Sequence, residues 1–128
     1  MVLIDTSAWV EFLRNTGSPV CARVDDLLDD EIAVCDPIRM EVLAGARDEL
    51  HLHSLRRLLA RATVLPTDPT HFEEAAALFR RCRQEGETVR RLVDCLIAAV
   101  AIRSGVPVLH RDGDFDVLAR HTELEVAR

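Results

Sequence analysis

Four short apolar runs, set between stretches of helical period, constrain this chain more than any other feature. They are Val2 to Ile4, Ile32 to Cys35, Thr63 to Leu65 and Val106 to Leu109. Each is too short for a helix and rich in aliphatic or β-branched residues, the signature of a buried strand. Between them apolar residues recur at helical spacing, as in Val20, Val24, Leu27 and Leu28, or Leu50, Leu55, Leu58 and Leu59. Strands that alternate with helices in this way form a parallel sheet with helices on both faces. Leu124 to Val126 is a candidate fifth strand. No repeat, low-complexity stretch or linker interrupts residues 1–128, so one domain is expected.

Local signals place the helices. Ser7 to Arg14 follows the first strand. Ser18 caps the next helix, with Pro19 at its first position and Val20 to Leu28 as its body. Asp36 reads as the cap of a helix that holds Pro37 and runs to about Gly45. Asp48 to Ala62 and Thr70 to Glu85 follow, the latter stopped by Gly86. Val89 to Ser104 is expected to be one continuous helix ending at Gly105, and Phe115 to His121 a short last one.

Composition narrows the function. Apolar residues make up 48% and charged residues 30%, enough for a packed core. All 16 basic residues are Arg, which excludes a catalytic lysine and favours bidentate contacts to phosphate. The net charge of −6 argues against a protein that coats nucleic acid. It is compatible with a nuclease whose acids are neutralised by cations. The cysteines Cys21, Cys35, Cys82 and Cys95 lack zinc spacing, and Cys35 and Cys95 read as small core residues. The start of the chain lacks a basic region, and Asp5 and Glu11 interrupt any signal segment. The run from Cys95 to Ile102 is well short of the roughly 20 residues that span a bilayer. A soluble cytoplasmic protein with no membrane association is expected.

The acids are unusually placed. Asp5 follows the first strand directly, where ligands of open α/β sheets bind; it or Thr6 can equally cap the helix that follows. Asp94 lies in Leu92-Val93-Asp94-Cys95-Leu96-Ile97-Ala98-Ala99-Val100, apolar on nearly every side and therefore a buried helix. A carboxylate there is costly unless it is paired or bound to metal; Arg90 and Arg91 are the partners within reach. Glu41 sits among Ile38, Val42 and Leu43, just after the second strand. Asp112 and Asp114 follow the fourth strand, where Asp114 can also serve as an N-cap. Three strand ends carrying acids, with a buried helical Asp, point to one convergent carboxylate cluster. Such a cluster repels itself unless a hard divalent cation enters, and Mg²⁺ held by a few carboxylates keeps waters and pairs with substrate phosphates. Phosphodiester hydrolysis is the chemistry this favours. Arg80, Arg81, Arg83, Arg90 and Arg91 form the densest basic stretch, suited either to RNA phosphates or to ion pairs with Glu85 and Glu87.

Asp5-Thr6-Ser7, Glu41, Asp94 in Val-Asp-Cys-Leu-Ile-Ala-Ala, and Arg111-Asp112-Gly113-Asp114-Phe115 together resemble a PIN domain, and more narrowly the VapC-type toxin ribonucleases of type II toxin–antitoxin modules. The resemblance covers essentially the whole chain. It implies a three-layer α/β/α sandwich around a central parallel sheet of four to five strands, and RNA cleavage dependent on Mg²⁺, with Mn²⁺ as substitute. It implies Asp5 and Asp94 as metal ligands and Glu41 and Asp112 as the rest of the catalytic pocket. Asp114 is the alternative to Asp112 as the fourth acid or a further member of the site, and the resemblance implies that Thr6 or Ser7 steadies the site through a hydroxyl. The family often carries Thr where this chain has His110, which leaves the metal set intact and changes the hydrogen bonding beside it. The resemblance also implies a homodimer and a cognate antitoxin that blocks the pocket; the helices carrying Trp9, Leu13, Leu50 and Leu55 are places for that contact or plain core faces.

Three rivals are weaker. A receiver domain and a phosphatase with a first-strand aspartate nucleophile both need a lysine. The phosphatase also wants a second Asp where Ser7 stands. A catalytically inactive PIN-like module that binds RNA or protein is disfavoured by the intact acids.

Overall fold

A computed structural model describes residues 1–128. The chain runs β1 (Val2–Ile4), α1 (Thr6–Leu13), α2 (Pro19–Leu27), β2 (Ile32–Cys35), α3 (Asp36–Ala44), α4 (Glu49–Leu59), β3 (Thr63–Leu65), α5 (Pro69–Gln84), α6 (Leu92–Ser104), β4 (Val108–Leu109) and α7 (Gly113–His121). The expected α/β/α architecture is present. The sheet is parallel throughout in the order β3-β2-β1-β4, with Val2 opposite Ile32 and Leu3 opposite both Ala33 and Val108. The fifth strand contracts to an isolated parallel bridge between Val108 and Val126.

The order of the strands positions the site. The connections from β1 to β2 and from β2 to β3 move one way across the sheet, and the connection from β3 to β4 moves back. Because such crossovers are right-handed, α1 to α4 cover one face and α5 and α6 the other. The direction reverses between β1 and β4. The crevice at such a switch point, at the carboxyl ends of the strands, is where α/β sheets bind ligands. Asp5 immediately follows β1, and Asp112 lies just beyond β4.

The core is aliphatic, with Leu3, Ile4, Ile32, Val34, Ile97 and Val100 all at most 1% exposed, and Trp9 and Phe115 as its two large aromatics. Every residue from Asp94 to Ala101 is buried, so α6 is the central helix its composition predicts. It ends where Gly105 turns left-handed at φ 68°, a conformation that other residues adopt only at a cost. Cys35 and Cys95 are fully buried, and burial pushes both thiols up to about 12. No helix is long and apolar enough to cross a membrane.

Two local expectations need correction. Val89, Arg90 and Arg91 do not extend α6; Arg91 is its extended N-cap residue, at φ −125° and ψ 121°. The backbone N–H groups of Arg90 and Arg91 donate to the Asp114 carboxylate instead, at 3.1 Å each. Asp36 lies in the first turn of α3 rather than capping it; Cys35 holds the cap position, with no side-chain bond.

Candidate active site

Sequence-distant acids meet at the switch point. Asp5 is 2% exposed and acts as the N-cap of α1: its Oδ2 accepts the Ser7 backbone N–H at 2.9 Å and the Ser7 hydroxyl at 2.6 Å. The capping reading of Asp5 therefore holds, but it uses only one oxygen. Oδ1 is buried without a hydrogen-bond partner. Burial raises the Asp5 carboxyl above its usual range, with the Glu41 charge adding to it and the Ser7 bonds opposing.

Asp94 is 1% exposed and its Oδ2 is likewise without a partner. Neither Arg90 nor Arg91 forms an ion pair with it: Arg91 reaches Glu41, and Arg90 reaches Asp112 and Asp114. Burial pushes the Asp94 carboxyl up to about 9, followed by its hydrogen bond with Asp114 and the charges of Asp112 and Asp5. With its carboxyl raised this far, Asp94 favours its protonated form at neutral pH, and Asp114 is its hydrogen-bond partner. Burial works to raise Asp114 too, but the bonds from Asp94, Arg90 and Arg91 outweigh it and hold that carboxyl below its usual value.

Asp94, Asp112 and Asp114 each offer an oxygen within a set spanning 4.8 Å, close enough for one cation. Asp5 stands beside this trio, near enough for its charge to act on Asp94. The two acids of the last loop differ. Asp112 caps α7 through the Asp114 N–H at 3.0 Å and also accepts Arg90 Nη2 at 2.8 Å, both on Oδ1. Asp114 is buried and uses both oxygens to hold the Arg90–Arg91 backbone, with Arg90 Nε also on Oδ1 at 3.2 Å. Asp112, not Asp114, is thus the helix cap and the acid with an oxygen outside these bonds.

Glu41 faces the same cavity from α3. Its Oε1 accepts the Thr6 hydroxyl at 2.9 Å, and its Oε2 accepts Arg91 Nη2. Ser7 links two strand ends, since its hydroxyl also accepts the Arg111 N–H at 2.8 Å. His110, in place of the common Thr, accepts the Asp112 N–H on Nδ1 at 3.0 Å while its ring packs 5.2 Å from that of Phe115. Asp5, Glu11, Glu41, Asp112, Arg91 and Arg111 line one cavity of about 290 Å³.

Glu11 and the pairing of the Arg111 side chain with it escape a reading of the sequence. The available signal for Glu11 is its place one turn after Ser7 on α1, which puts both on one face. Of the basic stretch, Arg80, Arg81 and Arg83 lie outside this cavity, on or near the exposed face of α5.

The sequence matches the PIN domain family over residues 2–121. This chain belongs to the PIN domain family. Among related PIN proteins, it is 50% identical to the Mycobacterium tuberculosis ribonuclease VapC11 over 131 aligned positions, covering 99% of this chain and 98% of the relative. It is 33% identical to ribonuclease VapC32 of the same organism, over 88% of this chain and 85% of that protein. The PIN fold also superposes on that of VapBC2 from Rickettsia felis, solved with a DNA fragment of its promoter, with a TM-score of 0.78 at 18% identity over 99% and 98% of the two chains. FitAcB from Neisseria gonorrhoeae gives a TM-score of 0.72 at 19% identity over 100% and 97%.

Proposed function

We propose that this PIN domain is the toxin of a type II toxin–antitoxin pair, a ribonuclease of VapC type that hydrolyses RNA phosphodiester bonds with a divalent cation, Mg²⁺ or in its place Mn²⁺. The carrying observation is the pair of buried carboxylate oxygens without partners, Asp5 Oδ1 and Asp94 Oδ2, beside a trio of acids. Buried carboxylates in mutual contact fit a hard, oxygen-seeking cation, which would take the place of the proton that Asp94 favours without it. The whole-length identity to relatives named as ribonucleases supports the same chemistry.

In this reading Asp94, Asp5 and Asp112 would hold the metal, Asp94 as a deprotonated carboxylate. A bound cation lowers the pKa of a water and neutralises charge on the attacked phosphate. Glu41, fixed by Thr6, would orient the attacking water. Ser7 keeps Asp5 in one rotamer, and Asp114 fastens the loop that carries Arg90 and Arg91. Cleavage leaves a 5′-phosphate and a 3′-hydroxyl.

The partner is an antitoxin, in line with the two-component VapBC and FitAB assemblies among proteins of this fold. A cavity of about 390 Å³ between α1, α3 and α4 suits it. Val10, Leu13, Val42 and Leu55 give that cavity an apolar wall, and it reaches the active site at Thr6 and Glu41. Trp9 and Leu55 belong to the core, whereas Leu13 at 42% and Leu50 at 78% exposure are free for contact. A homodimer acting in the cytoplasm completes the reading.

Controlled expression in a bacterial host tests the toxin assignment. Growth should stop on induction, continue with Asp94→Asn, and resume when the adjacent antitoxin gene is co-expressed. Equal growth with wild type and variant, at equal soluble protein, would contradict it.

A further inference from the structure

The cavity that holds the acids is lined by two guanidiniums as well. Arg91 reaches Glu41 and Arg111 reaches Glu11, the latter at 3.0 Å. Each pair uses a single terminal nitrogen of a fork that carries five N–H donors. The two side chains are 50% and 55% exposed, and pairs so open to water contribute little to stability. Neither glutamate belongs to the trio of Asp94, Asp112 and Asp114. Arg90 differs: its Nε and Nη2 are both engaged, on Asp114 and Asp112. It does not line this cavity.

The two arms flank the acids. Glu41 follows β2 and Arg111 follows β4, and these strands lie on opposite sides of β1 and Asp5. Two strand spacings, about 10 Å, separate those strands. An RNA strand crossing such a cavity meets carboxylates at its centre, which repel it, and guanidiniums at its edges. Arg binds phosphate through two parallel N–H bonds, more than either glutamate now receives from it.

We infer that Arg91 and Arg111 are substrate-positioning residues: each leaves its glutamate for a phosphate of the RNA, one on the β2 side and one on the β4 side of Asp5. Arg91 thereby frees Glu41 Oε2 inside the cavity. The inference deepens the ribonuclease reading and rests on it.

Binding of a short labelled single-stranded RNA of randomised sequence, in Ca²⁺ and over a range of salt, tests this. Each phosphate contact to a single strand contributes about 0.7 to the slope of log affinity against log salt. Arg91→Gln and Arg111→Gln should each weaken binding several-fold and lower the slope by about 0.7, and the double variant by about 1.4. Arg91→Lys should keep the slope, since it keeps the charge. Arg57→Gln, on the exposed surface of α4, is the control and should leave the slope unchanged. Glu11→Gln should tighten binding by releasing Arg111, and that gain should vanish in an Arg111→Gln background, whereas simple loss of a repelling charge would persist there. Native melting of each variant excludes misfolding. An unchanged slope in folded Arg91→Gln and Arg111→Gln, beside a wild type that binds, overturns the clamp alone. A wild type that binds no RNA overturns the ribonuclease reading and the clamp with it.

Discussion

Asp114 accepts the backbone N–H of Arg91 at 3.1 Å, and this bond joins the loop before α6 to the first turn of α7. Its other oxygen holds Arg90 in the same way. Asp114 is therefore the fastener of the site, while Asp112 presents an oxygen to it. Asp114→Ala leaves two N–H groups and an arginine without their acceptor, so it should cost about 2–4 kcal/mol in a denaturant titration. Asp112→Ala should cost about 1 kcal/mol, the worth of a helix cap, yet abolish cleavage. Equal stability losses would show that the two acids are not divided in this way.

Asp94 sets the pH behaviour of the metal-free protein. Its carboxyl is raised on folding from 3.8 to about 9, so the folded state binds the proton more tightly than the unfolded chain. The stability this gives is fully present below pH 3.8 and is lost as pH rises towards about 9. Thermal melts in EDTA should fall across that window. Asp94→Asn should flatten the curve and be about 1–3 kcal/mol more stable than wild type at neutral pH.

The same proton couples to metal. As a proposed metal ligand Asp94 would have to release it, so divalent-cation affinity should rise with pH up to about 9, with proton release measurable by calorimetry in buffers of different ionisation enthalpy. At a hundred-fold excess over its dissociation constant the cation should add about 2.7 kcal/mol of stability. That gain should be absent in Asp94→Asn.

Glu87 adds to acid stability away from the site. Hydrogen bonds from Arg120 and His121 hold its carboxyl down at about 2, against an ordinary 4.5. A depressed acid stabilises the fold above its unfolded pKa and ceases to as pH falls through its folded one. Glu87→Gln should therefore melt lower than wild type at neutral pH and converge on it between pH 4.5 and about 2.

Thr6 donates its hydroxyl to Glu41, the acid proposed to orient the attacking water. Thr6→Val removes the 2.9 Å bond to Oε1 while keeping the side chain's shape. Groups that orient the residues of a metal site typically cost about 10–100-fold when lost. Cleavage should fall by that range with little change in melting temperature.

Much of this was legible in the sequence because it depends on local pattern. The apolar surround of Asp94 marks a buried helix, and the break from Ile4 to Asp5 marks a strand end. Both follow from burial alone. What escaped depends on distant partners. Val89 to Arg91 has helical composition, but its N–H groups find Asp114, 23 residues from Arg91, a better acceptor than the turn before. Leu124 to Val126 alternates like a strand, yet makes one bridge to a β4 only two residues long. Glu11 looks like any exposed acid of an amphipathic helix until Arg111 is brought across from β4. His110 shows why a departure from the family pattern need not empty the site: its ring accepts the Asp112 N–H.

The most direct test is incubation of total cellular RNA with the purified, antitoxin-free protein in Mg²⁺ or Mn²⁺, in EDTA, and with Asp94→Asn in place of the wild type. Discrete fragments with 5′-phosphate ends should form only in the presence of the cation and only with the wild type. Cleavage that persists in EDTA or in the folded variant would contradict the placement of the reaction at Asp5, Asp94 and Asp112.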